Sequence, residues 1–229
     1  MCNTSCLTFG RTHLRREEIE GKSVVEVGAK DVNGSLRVVI ETLNPAKYVG
    51  VDIEAGLGVD EICDINDLVA RYGTESFDVV ISTEILEHVR NWRRAVSNLK
   101  GVLKPGGVLL ITTRSIGFEY HGYPFDFWRY EPDDMRTLFS EFSIEAVERD
   151  PEAPGVFVKA HKPLLFRERD LRAHELYSVI KLRRCRDVRE TDVLFFRLKQ
   201  TARRIVSRIL PAELKARIKN VLEHKGTSR

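Results

Sequence analysis

The chain has 229 residues, of which 42% are hydrophobic and 31% charged, with a net charge of +3. This length and composition are ordinary for a globular protein with one large core, and they exclude a disordered chain. No run approaches the roughly 18 apolar residues of a membrane span, and the first residues lack a basic start followed by an apolar core, so we expect a cytoplasmic protein without a secretory signal.

Four cysteines are too few and too scattered for a disulfide framework. Cys2 and Cys6 have no second Cys or His pair at a structural-zinc spacing, and Cys63 falls at the end of a predicted strand. We therefore expect reduced thiols and no metal site.

Apolar β-branched runs alternate with segments of helical periodicity up to about residue 160. This pattern predicts strands at 23–27, 47–51, 60–63, 77–83, 107–113, 143–149 and 155–160, and helices at 35–43, 66–72, 90–103 and 131–140. Strands that alternate with helices imply an α/β fold whose mostly parallel sheet is covered on both faces.

The first strand, loop, helix and second strand form a unit that is typical of nucleoside binding. Glu26 ends the first strand, Gly28 and Gly34 lie in the loop, and Asp52 ends the second strand, where a carboxylate can accept both hydroxyls of a ribose. A nicotinamide site would have G-x-G-x-x-G, but the three residues after Gly28 include no glycine. The sequence therefore favours a nucleoside without a diphosphate.

Three further motifs follow in order along the chain. Cys63-Asp64-Ile65 ends the third strand, Glu84-Ile85-Leu86-Glu87-His88 follows the fourth, and Leu103-Lys104-Pro105-Gly106-Gly107 precedes the fifth. Together with the glycine loop, this series resembles the class I S-adenosylmethionine-dependent methyltransferases, type 11-like, over roughly residues 22–160. Only the first glycine of the family's G-x-G-x-G loop is matched, and we predict that Asn33 and Gly34 supply positive-φ positions in a wider loop.

The resemblance implies a Rossmann-like, seven-stranded, mostly parallel sheet with an antiparallel edge, and S-adenosylmethionine as the cofactor. It also implies that Glu26 holds the methionine ammonium, Asp52 the ribose and Asp64 the adenine amino group. Ligands of such sheets bind beyond the carboxyl ends of the strands, at the switch in strand order. The predicted cofactor-binding residues are Glu26, Gly28, Ala29, Asp52, Ile53, Asp64, Ile65 and Thr83.

A loop rich in aromatic residues, TRSIGFEYHGYPFDFWRYEP at 113–132, follows the fifth strand. Such a loop suits a lid that excludes water and stacks on a ring, with Phe127 and Trp128 packed beneath it. Arginine pairs well with anionic groups of an acceptor. The predicted substrate residues are Arg114, Tyr120, Tyr123 and Arg129.

Methyl transfer to a hydroxyl requires alignment of the reactants and removal of a proton. His121 and His88 are the candidate catalytic bases, because imidazole titrates near neutral pH. The alternative for His88 is a packing role at the start of a helix beneath the crevice.

The C-terminal part of the chain is basic. Residues 163–229 carry 18 Lys and Arg against 8 Asp and Glu, whereas the remainder carries 19 against 26. We therefore predict a methyltransferase domain at 1–162 and a basic, mostly helical extension at 163–229. Apolar residues recur at helical spacing over 194–210, and Pro211 opens a second predicted helix over 212–222. Such helices bind anionic membranes, nucleic acid or a protein partner, a second subunit of a homodimer included.

The sequence thus predicts a methyltransferase that acts on a small-molecule or glycan acceptor, such as a lipid-linked sugar, at oxygen. RNA methylation is the alternative, ranked lower because the chain shows no RNA-binding module and the aromatic loop is acidic. A non-catalytic binding module is the third hypothesis. If the tail binds lipid, the expected location is peripheral at the membrane.

Overall fold

The structure, a computed structural model, describes residues 3–122 and 124–209, except for the side chains of 203, 204 and 206–209. Tyr123 and the predicted helix at 212–222 lie outside the described residues. The chain divides into two compact units, residues 1–187 and residues 188–229.

The strands are β1 Ser23–Val27, β2 Lys47–Asp52, β3 Glu61–Ile62, β4 Phe77–Thr83, β5 Leu103–Arg114, β6 Trp128–Arg129, β7 Ser143–Arg149, β8 Gly155–His161, β9 Leu176–Ser178 and β10 Arg183–Cys185. The helices are α1 Thr4–His13, α2 Arg16–Ile19, α3 Arg37–Glu41, α4 Leu68–Tyr72, α5 Trp92–Val102, α6 Pro132–Leu138 and α7 Glu190–Ile209.

The first unit contains a seven-stranded sheet of order β3-β2-β1-β4-β5-β8-β7. The first five strands in this order are parallel, and β8 runs antiparallel to both β5 and β7. This confirms the predicted Rossmann-like sheet with an antiparallel edge. Strand order changes direction between β1 and β4, so a ligand crevice is expected beyond the carboxyl ends of these two strands.

Strands β1 and β4 are buried on both faces because helices cover both sides of the sheet. On one side, Cys6 and Phe9 of α1 and Ile40 of α3 form a buried cluster with sheet residues that include Val24 and Ile81. Helix α5 buries one of its faces as well. The crevice therefore rests on a rigid core.

The predicted elements omit the two N-terminal helices. Helix α1 begins where the side chain of Asn3 accepts a hydrogen bond from the Cys6 backbone N–H at 3.0 Å. Gly10 lets α1 approach the core, because a Cβ there would lie 2.4 Å from Leu36 Cδ2. The short polar sequence of α1 gives no clear helical pattern, which explains the omission.

A second, three-stranded sheet of order β10-β9-β6 joins the aromatic loop to residues 176–185. Arg93 of α5 fixes the preceding segment, since its Nε donates to the Leu171 carbonyl at 2.9 Å and one terminal nitrogen to the His174 carbonyl at 2.7 Å. These contacts place residues 163–187 in the first unit. The predicted boundary after residue 162 differs from this division, because non-local backbone pairing does not show in composition.

In the second unit, α7 spans the predicted tail helix up to Ile209. Leu194, Phe195, Leu198 and Ile205 are exposed. Among the residues that the structure describes, no helix is long and apolar enough to cross a membrane.

Candidate active site

Three strands end at the same level on the crevice side of the sheet. Val27 of β1 pairs with Val51 of β2 on one side and with Ser82 of β4 on the other. The chain then turns sharply, and the backbone N–H groups of Gly28 and Ala29 both donate to the Val51 carbonyl, at 2.8 and 3.0 Å. The predicted residues Glu26, Gly28, Ala29, Asp52 and Thr83 therefore meet at one edge.

The loop after β1 requires a glycine at position 28. Its φ is +82°, and a Cβ there would lie 2.0 Å from Ile85 Cγ1. Gly34, with φ +116°, gives the wider loop its second left-handed position, and its N–H donates to Asp31 Oδ1 at 2.8 Å. The prediction of positive φ at Asn33 is wrong, because the Asp31 side chain closes the turn instead.

Glu26 is a buried carboxyl beside this loop. Burial raises its pKa to about 7, against the lowering effect of the hydrogen bond that the Tyr48 hydroxyl donates to it. A cationic partner stabilises the charged form of a buried carboxyl group. The position fits the ammonium of a methionine moiety.

Asp52 lies at the tip of β2, and its oxygens accept from the backbone N–H of Lys30 at 3.3 Å and of Glu54 at 3.1 Å. Asp64 is exposed after β3 and caps the turn at Ile65–Asp67, accepting from the Asn66 N–H at 2.8 Å. The remaining predicted positions differ in exposure, since Ile65 and Thr83 are buried and Ile53 is exposed.

A buried ionic network lies behind the crevice. Glu84 follows β4 in a left-handed conformation, with φ +57°, and is ion-paired with Arg114. Burial, with the neighbouring charge of Glu87, raises the pKa of Glu84 well above its ordinary value. Arg114 also donates to Asp150 at 3.1 Å. Because Arg114 is buried and paired with two acids, the structure gives it a role in the protein interior, which differs from the predicted contact with substrate.

On the acceptor side, two histidines and two acids come together from separate loops. His121 Nδ1 lies 2.9 Å from Asp126 Oδ2, and its Nε2 lies 3.7 Å from Glu87 Oε1. The His88 ring stands edge-on to the His121 ring at 4.8 Å. His88 Nδ1 donates to the Phe125 carbonyl at 2.6 Å, which fixes the ring.

The charges of this cluster stabilise one another. Burial raises the pKa of Glu87, but the adjacent His121 and His88 outweigh it and bring the pKa to about 2. Burial lowers the pKa of His121, yet Asp126 and Glu87 outweigh that effect and raise it to about 9. Glu87 Oε1 and His121 Nε2 are buried atoms without a hydrogen-bond partner in the protein. A polar group of a ligand would satisfy both.

Glu87, His88 and His121 also place three potential metal-binding atoms within 4.8 Å of one another. No sequence spacing indicates this grouping, because His121 comes from a different loop than Glu87 and His88. Sequence reasoning missed Glu87 and Asp126 altogether, although Glu87 stands beside His88 in the same motif. The predicted absence of a metal site stays a prediction.

Arg129 forms the framework of the aromatic loop. It is buried and donates to both oxygens of Asp126, to the Phe118 and Glu119 carbonyls and to the carbonyl of Trp128. Its donors are engaged within the loop, so the predicted role as a substrate contact is replaced by a structural one.

The aromatic residues of the loop divide into packed and exposed ones. Phe127 and Trp128 are buried as predicted, and Trp128 Nε1 donates to the Val89 carbonyl at 3.1 Å. The predicted substrate residue Tyr120 is exposed. Rings that pack beneath the loop position it, while Tyr120 can meet a ligand.

Comparison with known proteins identifies the family. A family model described as a methyltransferase domain matches residues 9–155, more than half of the chain. The chain belongs to this methyltransferase family. Its seven-stranded sheet has the fold of the class I S-adenosylmethionine-dependent methyltransferases.

Two groups of curated relatives are similar to the enzyme in part. The ubiquinone biosynthesis O-methyltransferase of Agrobacterium fabrum is 26% identical over 121 residues, which cover 48% of this chain and 48% of the relative. The phthiotriol/phenolphthiotriol dimycocerosates methyltransferase 1 of Mycobacterium ulcerans is 34% identical over 113 residues, covering 44% of this chain and 40% of the relative. The matches span less than half the length of these relatives.

Two solved structures share the fold. The S-adenosylmethionine-dependent methyltransferase from Mesorhizobium loti superposes with a TM-score of 0.57 at 15% identity, over 70% of this chain and 99% of that one. The 1,6-didemethyltoxoflavin-N1-methyltransferase of Burkholderia thailandensis, solved with bound 1,6-didemethyltoxoflavin and S-adenosylhomocysteine, superposes with a TM-score of 0.55 at 13% identity, over 69% of this chain and 78% of that one.

Proposed function

We propose that this methyltransferase methylates a hydroxyl oxygen of a small-molecule or glycan acceptor, with His121 as the catalytic base. The observation that carries the proposal is the pair of unpartnered atoms, Glu87 Oε1 and His121 Nε2, which face each other at 3.7 Å. A hydroxyl that contacts both atoms can pass its proton to one of them as its oxygen attacks.

We propose S-adenosylmethionine as the cofactor. When bound, it would supply a sulfonium methyl group: the acceptor oxygen would bond to the methyl carbon as the carbon–sulfur bond breaks, and S-adenosylhomocysteine would leave. On the enzyme, the hydroxyl proton moves to Nε2 of neutral His121, whose Nδ1 lies 2.9 Å from Asp126 Oδ2. Glu87 and Asp126 stabilise the imidazolium that forms, because each places a carboxylate oxygen beside one ring nitrogen. His88 completes the wall of the site, and the hydrogen bond to Phe125 holds it there.

On the cofactor side, we propose that Glu26 holds the ammonium group and Asp52 the ribose hydroxyls. Gly28, which has no room for a Cβ, lets the backbone approach the ligand. Ile53 and Ile65 would line the adenine, with Asp64 at its amino group. These assignments rest on the ends of β1, β2 and β3 and on the nature of the side chains there.

The acceptor class rests on two observations. The ubiquinone relatives are named O-methyltransferases, which favours oxygen over nitrogen or carbon. Among the described aromatic residues of the loop, Tyr120 is exposed whereas Phe127, Trp128 and Tyr130 are buried, so Tyr120 can contact a ring-shaped acceptor. An RNA acceptor, a homodimer and the cytoplasmic location stay predictions.

The first experiment is calorimetric titration with S-adenosylmethionine and S-adenosylhomocysteine, with NAD as the control ligand. Asp52→Ala should abolish binding of the sulfur nucleosides. Hydroxylated small molecules and glycans are then screened as acceptors by transfer of a labelled methyl group.

The base is tested with a matched pair of histidine variants. His121→Ala should lose turnover and keep S-adenosylhomocysteine binding, whereas His161→Ala, at the far end of β8, should keep both. Normal turnover of His121→Ala would remove this residue as the base.

A further inference from the structure

Helix α7 exposes four large apolar side chains, which form its apolar stripe. Leu194 and Leu198 are each 57% exposed, Ile205 is 51% exposed and Phe195 is 70% exposed. At about 100° per residue, the first three fall within roughly 40° of one another on the helix surface, and Phe195 borders them. Large apolar side chains in such a row mark a surface that binds something.

The same helix is basic. Lys199 is exposed, and the sequence adds Arg203, Arg204 and Arg208 to the helix. Residues 188–229 carry eleven lysines and arginines against four acids. An apolar stripe on a helix rich in Lys and Arg is the pattern of a helix that lies in a membrane interface.

We propose that α7 binds the surface of an anionic lipid membrane. The apolar stripe enters the boundary between headgroups and acyl chains, while the basic residues contact anionic headgroups. This inference rests on the proposed function. It assigns the glycan acceptor to the lipid-linked class, which would be presented at the membrane surface that α7 binds.

Two other occupants fit the helix less well. A nucleic acid would use the basic residues and leave Leu194, Phe195 and Leu198 in water. A second copy of α7 would cover the apolar stripe, but it would bring two strongly basic helices together at a cost in repulsion. An anionic bilayer satisfies the stripe and the charge at once.

The test uses the full chain and vesicles of phosphatidylcholine with or without phosphatidylglycerol, in a sedimentation assay. Leu198→Asp and Gln200→Asp form a matched pair, because both add one negative charge to an exposed helix position. Helical spacing places them roughly 200° apart, so only the first disturbs the stripe. The wild type should bind the anionic vesicles, and Leu198→Asp should bind at least about tenfold more weakly than Gln200→Asp.

Several results would overturn the proposal. Failure of the wild-type chain to bind anionic vesicles would do so directly. Equal weakening by the two substitutions would show that the stripe does not enter the bilayer. A change of mass from dimer to monomer in Leu198→Asp, measured by light scattering, would assign the stripe to a subunit interface. Retention of single-stranded RNA in preference to vesicles would assign the helix to nucleic acid.

The same samples separate this proposal from the proposed function. Calorimetry with S-adenosylhomocysteine should give equal affinity for the wild type and both variants, since α7 carries no cofactor residue. Vesicle binding without S-adenosylhomocysteine binding would refute the assigned cofactor site and leave the membrane surface standing. Methylation of a soluble acceptor without vesicle binding would refute the membrane surface alone.

Discussion

If Glu26 holds the cofactor's ammonium group, as proposed, its buried carboxyl should make cofactor binding depend on pH. In the free enzyme its pKa is raised to about 7, chiefly by burial. An ammonium group beside it favours the carboxylate and returns the pKa towards or below its ordinary value of 4.5. Binding therefore requires loss of the proton, and affinity should rise as the pH rises towards 7 and level off above it.

The size of the effect follows from the fraction of ionised carboxyl. With a free pKa of about 7 and a bound pKa near 4.5, binding should be about eightfold weaker at about pH 6 than at about pH 7.5. Roughly half a proton should be released for each ligand bound near pH 7. The comparison stays at or below about pH 7.5, where an α-amino group is still mostly protonated.

Calorimetry of S-adenosylhomocysteine binding in buffers of different ionisation enthalpy measures both the affinity and the proton release. Glu26→Gln should bind weakly and without pH dependence over this range. Tyr48→Phe removes the hydrogen bond that lowers the pKa of Glu26, so its pH profile should move upward by about one unit. An affinity that does not change with pH in the wild type, or the same slope in Glu26→Gln, would refute the reasoning.

Three further predictions concern proton transfer, metal and the glycine loop. If His121 is the base, turnover should rise with pH up to about 9, where the pKa of His121 lies. Asp126→Asn should move this rise in turnover to lower pH, because Asp126 raises the pKa of His121; an unchanged pH profile would contradict the assignment. Dialysis against EDTA should leave methyl transfer unchanged, and activity restored only by a divalent cation would point to metal chemistry instead. Gly28→Ala should lower the free energy of unfolding, measured by urea titration, by about 1–3 kcal/mol, because the added Cβ would meet Ile85. Gly21→Ala is the control and should lower it less, because Gly21 also has a positive φ but no atom lies within 4 Å of the added Cβ.

The sequence predicted the sheet well where burial alone determines a strand. The bounds of β1, β4 and β7 agree with the predicted ranges, and the helices of the central fold are found within a few residues of theirs. Strands β6, β9 and β10 have two or three residues each. Their pairing brings residues 128–129 against 176–178, and no local pattern carries information about such distant partners.

The site was predicted less completely, for reasons visible in its charges. Arg114 and Arg129 were assigned to substrate because arginine recognises anions, but each is buried against acids of its own chain. Asp126 and Glu87 were missed because their importance comes from facing His121, and a sequence does not show which side chains face one another. The candidate cofactor residues at the strand ends lie together because strand order alone places them at one edge of the sheet.

The two halves of the site share the turn after β4. Ile85 occupies the space where a Cβ of Gly28 would lie, so it rests on the cofactor loop. Two residues later, Glu87 faces His121 on the acceptor side. The turn at Leu86–His88, whose residues are buried or half-buried, joins the contact with Gly28 to the cluster around His121 within one short segment. This explains why a motif of only five residues, Glu84 to His88, contributes to the cofactor loop, the buried ion pair with Arg114 and the acceptor site together.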